Sequence, residues 1–132
     1  MKRPPFAHLS DPARSVFVFG VYLLLLGALL VLAPNVLLGL FRIAATVEVW
    51  IRVLGMVVLI LGAYYVLAAL AELRAFMRWT VPLRASVLLF FLAFVLTGLA
   101  PPVLILFALV ELAGSCWTAW ALWRAPMQAN TA

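Results

Sequence analysis

An acidic residue in the middle of an apolar run is the strongest chemical signal in this sequence. Residues 103–123 contain nine Leu, Ile, Val and Phe side chains and are interrupted by Glu111. A run of about 20 apolar residues makes a helix long enough to cross the ~30 Å hydrocarbon core of a bilayer. A carboxylate at its centre costs roughly 2.5 to 3.5 kcal/mol on insertion scales. The apolar neighbours offset that cost but supply no hydrogen bond. Glu111 must therefore be protonated, face a wet cavity or meet a polar group from another helix. Ala108, Glu111, Ser115 and Thr118 recur at i, i+3, i+7 and i+10 with Gly114 beside them, so they share one helical face. Small and polar residues on one side of a membrane helix mark the side that packs on other helices.

The expected partner is Arg52. Counting 1.5 Å per residue, Glu111 lies about 12 Å and Arg52 about 5 to 7 Å from the outer ends of their helices, a gap that an arginine side chain spans. Arg52 cannot shed its charge, so one contact relieves both groups. The reading is an ionised Glu111 paired with Arg52 and assisted by Ser115 or Thr97. Tyr22, Tyr64 and Tyr65 are further candidates, nearer the inner side.

Other chemistry is narrowly bounded. The chain has 132 residues, of which 69% are hydrophobic and 10% charged, and a mean hydropathy of +1.26. Soluble domains are closer to about 45 to 50% apolar and 25% charged, so this is a single membrane domain. One histidine, His8, and one cysteine, Cys116, leave no bis-histidine haem ligation, HExxH zinc site, Ser-His-Asp triad, disulfide or CxxC pair within the chain. Cys116 reads as a small buried hydrophobe. The net charge of +5 comes from basic residues that flank apolar spans without forming a dense run. That pattern anchors and orients a membrane protein and does not bind nucleic acid. No catalytic residue, cofactor or metal site is assigned.

Four elements must position Glu111. The first span is read at 12–33, with Asp11 as its cap, Pro12 at the first helical position and Pro34 ending it. A cleaved signal peptide is the rival reading, disfavoured by the length of the apolar run and by Pro34 after Ala33. Between 34 and 46, Asn35, Gly39 and Arg42 fall on the face opposite Leu37, Leu38 and Phe41. This predicts a short interfacial helix, with a hydrophobic loop packed on the bundle as the alternative. Thr46 is the expected cap of the second span, 47–71, with Glu48 four residues before Arg52. The basic stretch 72–84, with Arg74, Arg78 and Arg84, reads as a membrane-surface connector. Pro82 then opens the third span, 82–99, and Pro101-Pro102 turns the chain into the fourth, 103–123. Trp117, Trp120, Trp123 and Arg124 mark an interface; cofactor stacking is the sharper rival reading of the tryptophans.

The first and second spans carry Gly20 and Gly27, and Gly55 and Gly62, at seven-residue spacing. Segments 20–33 and 55–68 share eight of fourteen residues, which is read as shared helix-packing chemistry. The fold expected is an all-α integral membrane four-helix bundle with one short interfacial helix between spans 1 and 2. Basic residues divide seven (Lys2, Arg3, Arg14, Arg74, Arg78, Arg84, Arg124) against two (Arg42, Arg52), so both termini are expected in the cytoplasm.

Arg52-x-x-Gly55 followed by Gly62 in the second helix, with Glu111 in the fourth helix of a chain this size, resembles the DoxX-like group of small bacterial inner-membrane proteins. The likeness covers mainly 52–70 and 104–122. It implies a multi-pass protein of the bacterial cytoplasmic membrane and marks Arg52 and Glu111 as the positions to test. Some members of that group are membrane subunits associated with quinone-linked or other oxidoreductases.

Three function classes follow. The leading one is a non-catalytic accessory or assembly subunit of a membrane complex, whose buried polar pair fixes the bundle. The second is a dimeric proton-coupled small-molecule transporter using Glu111, and the third a quinone-linked redox subunit. The expected surroundings are the lipid bilayer and either a homo-oligomer or a larger membrane-protein partner.

Overall fold

The computed structural model describes residues 5–125. Lys2 and Arg3, counted above for orientation, lie outside the described residues. A short 3-10 turn, Pro5–His8, leads into five α-helices: α1 (Asp11–Leu32), α2 (Pro34–Leu40), α3 (Trp50–Leu70), α4 (Arg74–Leu96) and α5 (Leu104–Arg124). The fold is all-α. Helices α1, α3, α4 and α5 are long and apolar enough to cross a membrane, and α2 is the short helix between the first two.

Helix α1 starts one residue earlier than the sequence suggests. Ser10, in extended conformation, is the cap; its Oγ accepts from the Ala13 N–H at 3.4 Å, and Asp11 is the first helical residue. The Glu72 carboxylate accepts from both the N–H (2.7 Å) and the Oγ (2.6 Å) of Ser10, tying the start of α1 to the turn between α3 and α4.

Helices α1 and α3 form the tightest pair, and their four glycines set the separation. A Cβ on Gly27 would lie 2.5 Å from the Leu59 nitrogen and 2.8 Å from the Gly55 carbonyl oxygen; one on Gly62 would lie 2.8 Å from the Leu24 nitrogen and 3.0 Å from the Gly20 oxygen. The colliding atoms are backbone, which cannot swing aside. The heptad spacing in each helix therefore meets its antiparallel counterpart, Gly20 near Gly62 and Gly27 near Gly55.

Thr46 does not cap α3. The helix begins at Trp50 after Val49, which makes no side-chain cap. Thr46 is held instead by Asn35: its N–H donates to Asn35 Oδ1 (2.9 Å) and its carbonyl accepts from Asn35 Nδ2 (3.0 Å), closing the 35–46 loop. Within that loop α2 turns Leu37 and Leu38 inward and Asn35 and Gly39 outward. Arg42, at φ 56°, follows the end of the helix, and Phe41 stacks on Phe107 of α5 at 4.8 Å between ring centres.

The largest departure is at α4. The stretch expected to be a surface connector is helical from Arg74 onward, so Pro82 lies inside the helix. A membrane helix tolerates an internal proline when hydroxyls and neighbouring helices serve the disturbed backbone. Pro82 removes the helical donor of the Arg78 carbonyl; beside the proline, Ser115 of α5 donates to the Val81 carbonyl at 2.7 Å and ties α5 to α4 at that point. The extra two turns bring Met77 and Thr80 into the bundle on the same face as Arg84, at i, i+3 and i+7. Trp117, Trp120 and Trp123 point outward on α5, with the Arg124 guanidinium 4.5 Å from the Trp120 ring. Cys116 is exposed, not buried.

Candidate functional site

The partner of Glu111 is Arg84. Arg84 Nε lies 3.5 Å from Glu111 Oε2, with the arginine side chain 3% exposed and the carboxylate 18%. Arg84, two residues after Pro82 on the face of α4 shared with Met77 and Thr80, places its guanidinium in the middle of the polar cluster. Arg84 Nη1 donates to Thr118 Oγ1 at 3.4 Å, and Ser15 Oγ donates to the same hydroxyl at 3.0 Å. Ser15 also contacts the Pro12 carbonyl and Thr118 the Gly114 carbonyl. One polar cluster thus joins α1, α4 and α5.

Aromatic rings complete the cluster. The Arg84 guanidinium carbon is 3.4 Å from the centre of the Phe19 ring and 6.0 Å from that of Tyr65. Phe19 in turn packs on Tyr22 and Tyr65, and Tyr65 on Phe76. Ring faces carry negative quadrupole density, so a desolvated guanidinium above one is attracted by about 2 kcal/mol. Gly114 makes room for this arrangement: a Cβ there would collide with Arg84 Nη2 and lie 3.4 Å from the Phe19 ring.

Of the residues expected at the site, Glu111 and Ser115 belong to it, whereas Arg52 and Thr97 do not. Arg52 is exposed near the start of α3, and its Nη1 donates to the Val31 carbonyl at the end of α1. The last carbonyls of a helix have no intrahelical donor and carry the negative end of its dipole, so they attract a nearby cation. That is why Arg52 turns to α1 and away from Glu111. Thr97 is exposed at the end of α4, and its hydroxyl donates to the Ala93 carbonyl at 2.7 Å. Sequence reasoning missed Arg84, Thr118, Ser15 and Phe19 as one unit, because Arg84 was assigned to the connector.

Beside the cluster is a cavity of about 300 Å³ lined by all five α-helices and by the 41–43 turn. Its walls are apolar almost throughout, and Glu111 and Tyr22 are the lining residues that bring polar groups to it. Phe41 and Ile43 contribute to the wall from the turn after α2. Leu54 and Leu61 line it from α3 while remaining 54% and 43% exposed, so the cavity opens on that flank. Helices α3 and α4 scarcely touch, and each contributes to the wall, α3 through Leu54 and Leu61 and α4 through Val87 and Phe91.

No family model matches this chain, and neither a curated protein nor a solved structure does.

Proposed function

We propose that this protein is a non-catalytic accessory or assembly subunit of a membrane complex, seated in the bacterial cytoplasmic membrane with both termini on the cytoplasmic side. The observation that carries this reading is the inward, mutual use of the polar groups: Arg84, Glu111, Thr118 and Ser15 bond across three helices. Charged and hydroxyl groups used in this way fix which helices pack together and in what register. The resemblance to the DoxX-like group belongs to the same proposal, with Arg84 taking the place of Arg52 as the position to test beside Glu111. Deleting the chain in its own host should remove one larger membrane complex from a native gel, and the intact chain should restore it. An unchanged set of complexes would overturn the subunit reading.

The cavity favours a second reading, a small-molecule transporter in which Glu111 contacts the cargo. Proton-coupled flux in vesicles, abolished by Glu111→Gln, would support it; flux equal to empty vesicles would remove it.

A further inference from the structure

Glu111 contributes a carboxylate to the wall of an otherwise apolar cavity, and none of the hydrogen bonds among the described residues ends on it. Its salt-bridge partner is Arg84 Nε, at 3.5 Å, and that nitrogen is itself buried without a hydrogen-bond acceptor among the described residues. A carboxylate has about four acceptor positions, and leaving them empty in an apolar setting is costly. The cavity therefore presents a strong acceptor with capacity to spare, at the end of an oily slot. What fills it must bring an O–H or N–H donor on an apolar body.

Charge narrows the class. Arg84 already balances Glu111, so the pair is net neutral; a cationic head would meet the guanidinium as a like charge, and an anionic one would meet the carboxylate. A neutral hydroxyl suits the site. Size and access narrow it further. At about 300 Å³, the cavity is at the small end of the ~300 to 1,000 Å³ typical of ligand sites, which suits one chain. Its opening between α3 and α4, beside Leu54 and Leu61 on one side and Val87 and Phe91 on the other, faces outward along the length of apolar helices. A bilayer component reaches it without passing through water.

We propose that this cavity binds a single-chain lipid with a neutral hydroxyl head, the hydroxyl donating to Glu111 and the chain lying between α3 and α4. The subunit reading is not needed for this: an accessory subunit and a transporter could each hold such a molecule.

The test uses the full chain, purified and placed in nanodiscs, with hexadecanol bearing a mid-chain diazirine as the probe. Photolabelling should saturate and map to the α3 and α4 segments around Leu61 and Val87. Unlabelled hexadecanol should compete about tenfold better than hexadecane, the scale of one hydrogen bond to a charged acceptor. Leu61→Trp and Val87→Trp, which narrow the opening from either side and leave Arg84 and Glu111 in place, should each reduce labelling several-fold. Labelling that never saturates, that hexadecane blocks equally well, or that neither tryptophan reduces would mean general contact with lipid and would overturn the proposal. Hexadecylamine or palmitate competing better than hexadecanol would overturn the neutral head.

Discussion

The Arg84 guanidinium carbon sits 3.4 Å from the centre of the Phe19 ring, so a cation of α4 is held against the face of an aromatic side chain of α1. Phe19→Leu keeps an apolar side chain there but removes the ring face. It should lower stability in detergent by about 2 kcal/mol, the scale of a desolvated cation–π contact, and Phe19→Tyr should retain most of it. Chemical denaturation followed by circular dichroism measures both. Equal losses for the two variants would mean that shape alone matters at this position.

The glycine contacts between α1 and α3 give a second expectation. Gly27→Leu and Gly55→Leu should each destabilise by at least the ~1 to 3 kcal/mol typical of overpacking, since the obstructing atoms are backbone at Gly27 and the Leu30 Cβ with the Leu30–Val31 backbone at Gly55, none of which can swing aside. Gly39, whose added Cβ would meet nothing within 4 Å, is the control, and Gly39→Ala should be nearly neutral. Thermal unfolding of the three variants in one detergent separates these outcomes.

Much of this architecture is legible from residue pattern alone, and the misses have definite physical causes. The heptad-spaced glycines mark the α1–α3 contact because only small residues let two backbones approach, and that requirement shows in one sequence. Glu111 stands out because its cost in an apolar run is independent of the fold. Arg84 does not stand out, because Arg74 and Arg78 precede it and Pro82 resembles a helix start. Proline fits the first turn of a helix, yet it is also tolerated inside a membrane helix. The available signal was the face shared by Met77, Thr80 and Arg84, which needs the helix to run through the proline. Arg52 misled for the opposite reason: its depth suits a pairing with Glu111, but the open carbonyls at the end of α1 are nearer.

The contact between Ser10 and Glu72 should matter although it is exposed. One carboxylate takes both the N–H and the hydroxyl of the residue that caps α1. Glu72→Ala should cost about 1 to 2 kcal/mol, as losing a cap with a charged acceptor does. Hydrogen exchange should rise first in the opening turn of α1; uniform change along the helix would contradict this.

Orientation should follow the basic residues at the helix ends. With Arg84 buried in α4, the division becomes Lys2, Arg3, Arg14, Arg74, Arg78 and Arg124 against Arg42 and Arg52, six against two. Both termini are expected in the cytoplasm. A reporter fused after residue 124 should be active only in its cytoplasmic form, and activity of a periplasmic reporter there would reverse the assignment.

If the bundle depends on Arg84 and Glu111 as one buried pair, a double-mutant cycle at these two positions will show it. Removing one partner strands the other charge, at about 3 to 5 kcal/mol, whereas replacing both with apolar residues costs little. Unfolding free energies would be measured for Arg84→Leu, Glu111→Leu and the double variant, with Arg52→Leu as the control. Both single variants should lose much of their stability, the double should recover most of it, and the exposed Arg52→Leu should lose less than about 1 kcal/mol. Additive losses at 84 and 111, or a larger loss at 52 than at 84, would contradict that dependence.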